Sequence, residues 1–392
     1  MRYILKNRNL LMLFIASGLF FLNEMMLMPT LPLYLSALGY SNLALGTVLG
    51  SFALGVLVLR PVAGLVTDRK SRKFSLLIGL AVFIIAPPLY LLSDSFAYLL
   101  CVRFFHGIGI TFFTTASPTL ITDIAPSRRR GEVLGIMSIA SIFSMALGPI
   151  VGVTLFNHFG MPFLLAGCSL LGLGGLTLIF FIREPLRNSI EQTPITYKQA
   201  IFTRIVIVSS IVLFIEAQIF GGFFTFLPLL LKGVGNQSVG LFFMIASGTM
   251  IIGRFSFAHL TDVYGRGPMF FYSFLIIIAS VVLIAQVDSI TILIFAALLY
   301  GIGSTICMPA LIALIADTSD ASVRGRVFSF FYGAFDIGVI SAGVSLGFLA
   351  DLFGLRGMFM IAAGMGFAAA IFFMLTIKSH LGLSVRWTLT GK

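Results

Sequence analysis

Charged side chains are scarce in this sequence. They make up 10% of its 392 residues, and only 14 are acidic. A water-soluble domain carries roughly 25% charged residues, so an ordinary soluble globule is excluded. Histidine occurs four times, and His106, His158, His259 and His380 are scattered over distant stretches. The chain has no phosphate-binding glycine loop, no nucleophile elbow and no metal-spaced His/Cys cluster, which leaves enzyme chemistry without a site. Cys101, Cys168 and Cys307 all fall in apolar stretches. They read as small packing residues, not as a disulfide framework or metal set. No cofactor is implied.

Apolar residues fill the chain instead: 59% of positions, with a mean hydropathy of +1.08. Runs of about 20 apolar residues, the length that crosses a ~30 Å hydrocarbon core, recur near 9–36, 43–66, 74–92, 96–120, 132–157, 162–182, 204–232, 238–261, 269–287, 290–316, 326–352 and 356–378. Lipid admits only helices or closed barrels. These runs are twice the length of a barrel strand and do not alternate, so they predict twelve transmembrane helices in an all-α membrane protein. The first run continues into Pro29 and Pro32 without a small-residue cleavage pattern and reads as a retained span. Forty glycines suit close helix packing in lipid.

A net charge of +11 suggests nucleic acid until its placement is considered. Of the 25 Lys and Arg, 20 lie in the tails or in the loops on the side of the amino terminus, and only Lys232 and Arg356 lie in loops on the other side. This positive-inside pattern places both termini in the cytoplasm of a cell-membrane protein, and it leaves no basic surface for a nucleic acid.

The first half of the chain recurs in the second, shifted by 194 residues. Arg60 maps onto Arg254, Asp68 onto Asp262, Arg72 onto Arg266, Gly107 onto Gly301, Asp123 onto Asp317, Gly131 onto Gly325 and Gly160 onto Gly354. One offset held over a hundred residues predicts two pseudo-symmetric six-helix bundles, residues 1–182 and 204–392, joined by a polar cytoplasmic linker, 183–203. In a membrane protein such a duplication points to a transporter with alternating access around a central site. A receptor or scaffold would need long loops or soluble domains, and the outer loops are very short.

Between the second and third spans the chain reads Gly64-Leu65-Val66-Thr67-Asp68-Arg69-Lys70-Ser71-Arg72-Lys73. This resembles the signature loop of the major facilitator superfamily, G-x-L-x-D-R-x-G-R-K, with Ser71 in place of the second glycine. The second half holds a degenerate copy ending in Thr261-Asp262-Val263-Tyr264-Gly265-Arg266. Gly64 would let its helix approach another closely, and Asp68 would accept hydrogen bonds from a helix amino terminus. Arg69 or Arg72 would reach Asp123. The resemblance implies that these groups latch the two bundles when the cytoplasmic side is closed, with Asp262, Arg266 and Asp317 as the weaker counterpart.

Arg103-Phe104-Phe105-His106-Gly107-Ile108-Gly109 is similar to the family's R-x-x-Q-G-x-G, with His106 for glutamine. Arg103, His106 and Gly107 share one helical face, and an intramembrane arginine should face a cavity or a partner. The fifth span keeps Gly148-Pro149-x-x-Gly152 of the antiporter motif and lacks its outer glycines. Pro149 removes a backbone donor and bends the helix, while the glycines permit close packing. With Pro29-x-x-Pro32, this resembles the twelve-helix drug:proton antiporter branch, which implies export of a small organic or amphipathic compound in exchange for protons. A proton-coupled importer or a sugar exporter on the same fold is the alternative.

Three acids lie inside spans: Glu24, Glu216 and Asp336. At ~1.5 Å per residue, Glu24 sits about 22 Å from the cytoplasmic end, at a depth close to that of Arg103. Glu24, Arg103, His106, Glu216 and Asp336 are the candidate substrate and proton-coupling residues. Phe20, Phe21, Phe112, Phe113, Phe220, Phe223 and Phe224 lie at presumed cavity depth. The expected partners are a small-molecule substrate, protons and the lipid bilayer, and the chain is expected to act as a monomer.

Overall fold

Polar residues that cap helices punctuate the apolar runs, and the chain folds accordingly. The computed structural model describes Ile4 and residues 7–126, 130–184, 203–233, 238–257, 263–319, 324–378 and 381–391. Among these residues every regular element is a helix and no strand occurs. Helix α1 spans Arg8–Ala37, α2 Asn42–Arg69, α3 Arg72–Leu89 and α4 Phe96–Ile124. Asn7 caps α1 by accepting from the Asn9 and Leu10 amides, and Ser41 caps α2 through the Ala44 amide. The stretch Arg130–Phe180 reverses at Gly160, whose φ of 78° is open to glycine. It therefore holds α5 (130–159) and α6 (161–180). Helical dihedrals carry through Pro149, so the break in this stretch lies at Gly160.

The second half repeats the plan. Helix α7 spans Arg204–Leu230, α8 Ser238–Phe257, α9 Arg266–Ala285 and α10 Ile290–Thr318. Arg324–Thr376 breaks at Gly354, φ 71°, into α11 (324–353) and α12 (355–376). A short helix, α13 (Leu381–Thr390), follows. Nine described stretches are long and apolar enough to cross a membrane; two of these are the divided pairs, and α8 adds the shorter run Val239–Arg254. These are the twelve expected spans. Leu92, Leu170, Ile252 and Phe295 lie well exposed, as befits a surface solvated by lipid tails.

Chain contacts divide the molecule into Met1–Ser189 and Ile190–Lys392. Inside the first unit, α1 packs on α5, α2 on α4, and α3 on α4; inside the second, α7 packs on α11, α8 on α10, and α9 on α10. The pairing matches under the 194 shift, and so do the contact points. A methyl at Gly107 of α4 would overlap the Phe52 carbonyl of α2, and one at Gly301 of α10 would overlap the Ala246 carbonyl of α8. Thr111 and Thr305 each bond back to the carbonyl of that glycine, at 2.8 and 2.7 Å. Gly107→Val and Gly301→Val should each lower stability by about 1–3 kcal/mol or more through overpacking, read as a drop in the thermal midpoint in detergent. Gly64→Ala should leave that midpoint unchanged, because a methyl at Gly64 meets no described atom within 4 Å. Among the described residues the expected close approach is not made at Gly64. On α2 it falls at Gly55, where a methyl would overlap the Phe104 carbonyl.

Most of the phenylalanines expected at cavity depth pack inside their own bundles. Phe20 stacks on Phe83 and Phe113 at centroid distances of 4.1 and 3.8 Å, and Phe223 meets Phe242 and Tyr300. Phe20, Phe112, Phe113, Phe223 and Phe224 are buried, whereas Phe21 and Phe220 are only partly so.

Candidate functional site

Helix α1 carries Glu24 into the first bundle and α4 brings Arg103 beside it. Their exposures are 0% and 2%, so the arginine does not extend to either surface. Arg103 Nη2 stands 3.7 Å from Glu24 Oε1, beyond the ~2.7–3.2 Å of a hydrogen bond. Neither Glu24 oxygen has a hydrogen-bond partner in the protein, nor do Arg103 Nε and Nη1. The guanidinium lies 4.1 Å over the Phe52 ring of α2, a cation–π contact. At this spacing the two charges are neighbours without a hydrogen bond between them, while the guanidinium is seated against Phe52 and within hydrogen-bond reach of Tyr90. In a dry interior an ion pair held this loosely is costly, and water or a ligand that reaches either charge lowers that cost.

His106 follows Arg103 by three residues on the same face. Its Nδ1 is 3.3 Å from the Tyr90 hydroxyl, with the donor set by the imidazole tautomer. The Phe83 and Phe52 rings meet it edge-on at 4.4 and 5.8 Å. Tyr90 and Phe52 are site residues that sequence reasoning missed. Nothing in their own neighbourhood marks them, since both reach the site from other helices.

Close packing seats α1 at this point. A methyl at Gly148 or Gly152 of α5 would overlap Met25 or Met26, the residues just after Glu24. Ser144, one turn earlier, donates to the Gly18 carbonyl at 3.0 Å. The Gly148-Pro149-x-x-Gly152 seam therefore lays α5 directly against the helix that holds the acid.

The second unit is different. The 194 shift sets Gln218 opposite Glu24, Ala297 opposite Arg103 and Tyr300 opposite His106, so no counterpart of the charge pair exists there. Gln218 donates to Ser341 Oγ at 3.1 Å. Glu216, 6% exposed, lies within electrostatic reach of Tyr300 and Cys307 on α10, and its Oε2 has no hydrogen-bond partner. Asp336 is buried on α11. Among the described residues no group of three or more His, Cys, Asp or Glu could hold a metal ion.

At the start of α3, Arg72 is 7% exposed and is the hub of the loop. Its Nε lies 3.3 Å from Asp123 Oδ2 and its Nη1 3.2 Å from Asp68 Oδ1, and it also donates to the Thr67 carbonyl. Arg69 is exposed and is not the residue that meets Asp123. The amino terminus of α3 is covered by Glu184, which accepts from the Arg72 amide at 2.7 Å and from the Ser71 hydroxyl, where the helix dipole favours an anion. Sequence placed Arg183 and Glu184 in the linker. They belong instead to the first bundle, since Asn9 and Arg183 exchange hydrogen bonds of 3.1 and 3.3 Å. In the second copy Arg266 Nε lies 3.1 Å from Asp317 Oδ2, with the arginine 24% exposed. Asp262 and most of the expected linker lie outside the described residues.

The family model of the Major Facilitator Superfamily matches residues 13–285 and 232–384. The chain belongs to this family. A Major Facilitator chain with these spans is a multi-pass membrane transporter. An uncharacterised transporter of the same type from Methanocaldococcus jannaschii is 25% identical over 95% of this chain and 98% of its own. The staphylopine export protein of Staphylococcus aureus is 25% identical over 90% of this chain and 91% of its own. Among solved structures, an inward-facing, occupied bacterial homologue of the human lysosomal transporter Spinster superposes with a TM-score of 0.77 at 16% identity, covering 96% of each chain.

The departure of this Major Facilitator sequence at Ser71 has a local cause. Ser71 has an extended backbone and caps α3 by accepting from the Phe74 amide at 3.0 Å. The corresponding Gly265 has a φ of +89°, where a side chain would be strained. One copy starts its helix with a hydroxyl cap and the other with a glycine.

Proposed function

We propose that this Major Facilitator protein exports a small organic or amphipathic compound across the cell membrane in exchange for protons, with both termini in the cytoplasm. Supporting this most directly is the Glu24–Arg103 pair: two buried charges 3.7 Å apart with no hydrogen bond to the carboxylate. A carboxylate so placed changes its affinity for a proton whenever alternating access changes its hydration. A cationic group of the substrate, or Arg103 itself, competes with that proton, which is the thermodynamic basis of exchange. Glu216 and Asp336 tune binding in the second bundle. Outward direction draws support from the partial Gly148-Pro149-x-x-Gly152 motif, Pro29 and Pro32, and similarity to the staphylopine export protein over most of both chains.

Everted vesicles energised by respiration test direction. Ethidium and a panel of other amphipathic amines, zwitterions and sugars are added singly, and an effective compound should dissipate the inward proton gradient. Proton-driven accumulation by intact cells would overturn the export assignment.

A further inference from the structure

Helix α3 ends in two adjacent prolines, Pro87 and Pro88. Proline has no N–H, so the carbonyl four residues earlier loses its helical partner. In lipid such a carbonyl must be satisfied by a neighbouring helix. The two freed groups are the carbonyls of Phe83 and Ile84, and each has found a donor. Asn23 Nδ2 of α1 donates to Phe83 at 3.2 Å, and Ser169 Oγ of α6 donates to Ile84 at 2.9 Å. Asn23 Nδ2 also donates to the Cys168 carbonyl at 2.7 Å. One buried amide thus ties α1 to α3 and α6, immediately before Glu24. On another side of α1, Gly148 and Gly152 press against Met25 and Met26. Glu24 is the residue between the two clamps.

The prolines and their donors are not repeated at the corresponding positions of the second bundle. Under the 194 shift Asn23 becomes Ala217, Pro87 and Pro88 become Val281 and Val282, and Ser169 becomes Ala363. The charge pair is missing from the same bundle, where Gln218 and Ala297 stand in its place. Prolines, amide, hydroxyl and ion pair occur together in one bundle, and the corresponding positions of the other lack all of them.

We propose that Asn23 is the positioning residue of Glu24: by gripping the carbonyl that Pro87 frees, its amide sets the rotation of α1 that holds the carboxylate beside Arg103. The proposal rests on Glu24 being the coupling acid. Successive residues of a helix point about 100° apart, so a small turn of α1 at Asn23 swings the carboxylate off the guanidinium. The charged and titratable groups around Glu24 among the described residues are Arg103 of α4, Tyr90 just after α3 and Cys168 of α6, with His106 of α4 against Tyr90. A turn of α1 changes its distance to all of them.

Dicyclohexylcarbodiimide, which modifies buried protonated carboxyls, supplies a readout that needs no substrate. Purified full-length protein is labelled across pH, and modification of Glu24 is followed by peptide mass spectrometry. Asn23→Leu should move the labelling midpoint by about half a pH unit or more, the scale expected when a neighbouring charge is displaced. Ser169→Ala removes the sister bond without touching α1 and should keep the wild-type midpoint. Should Asn23→Leu fail to fold, Pro87→Ala approaches from the other partner: it returns a helical donor to Phe83, loosens the grip and should shift the midpoint in the same direction. A wild-type midpoint in Asn23→Leu or Pro87→Ala, or an equal shift in Ser169→Ala, would overturn the positioning role. The coupling assignment fails separately, if Glu24→Gln still exports ethidium or another panel compound against a proton gradient.

Discussion

Glu24→Gln is expected to abolish proton-driven transport, at least a hundredfold below wild type, while the protein still folds and inserts. The amide keeps the shape of the side chain and fixes the neutral form, and no hydrogen bond is lost, because neither carboxylate oxygen makes one with the protein. Some stability should be lost, because the neutral amide leaves the buried Arg103 guanidinium without its counter-charge, and removing one partner of a buried pair costs about 3–5 kcal/mol. Arg103 keeps its seat over Phe52. Glu216→Gln and Asp336→Asn are expected to change apparent affinity by about three- to tenfold, the scale of one polar contact, and to leave coupling intact. Transport into everted vesicles, with thermal unfolding in detergent as the control, separates these outcomes. A Glu24→Gln protein that transports with protons contradicts the assignment.

The second large effect concerns the loop between α2 and α3. Arg72→Ala removes contacts to Asp68, Asp123 and the Thr67 carbonyl from a side chain that is 7% exposed. A loss of about 1–3 kcal/mol in stability is expected, discounted because both carboxylates are partly solvated. Arg266→Ala removes a pair whose arginine is 24% exposed and whose aspartate is 57% exposed, and its cost should be about 0–1 kcal/mol. Transport should follow the same order, with Asp68→Asn more harmful than Asp262→Asn. Weakening the first copy should also raise the reactivity of engineered cytoplasmic-side cysteines, as expected if the loop latches the closed state. Equal and mild effects of the two arginine changes would reduce the loop to a solvated basic turn.

The spans were legible because lipid imposes one length and one polarity on every crossing segment, and the duplication was legible because Gly107, Gly301, Gly160 and Gly354 occupy places where another residue would clash or strain the backbone. The charge pair could be suspected from depth alone: Glu24 and Arg103 are costly inside a membrane, and equal depth makes them candidates for each other. Their rotation about α1 and α4 cannot be read from depth, so Phe52, Tyr90 and the exact spacing emerge only from the fold. Arg72 against Arg69 was ambiguous for the same reason, as both sit within reach of Asp123 until the register of α3 is known. Glu184 was hidden by its polar surroundings, which resemble a linker although its carboxylate caps α3. Asn23 and the Pro87-Pro88 pair did carry a readable signal. Two prolines within a membrane helix free two carbonyls, and a search for buried donors on other spans would have led to the asparagine beside the acid.

The central claim is that Glu24 carries the exchanged proton. Proton release from purified protein in detergent, on adding the compound identified in vesicles and measured across pH, addresses it most directly. Wild type, Glu216→Gln and Asp336→Asn are predicted to release protons with similar yield, and Glu24→Gln none. Release from Glu24→Gln at the wild-type level, with loss in Glu216→Gln or Asp336→Asn, would place the coupling site in the second bundle and contradict the account.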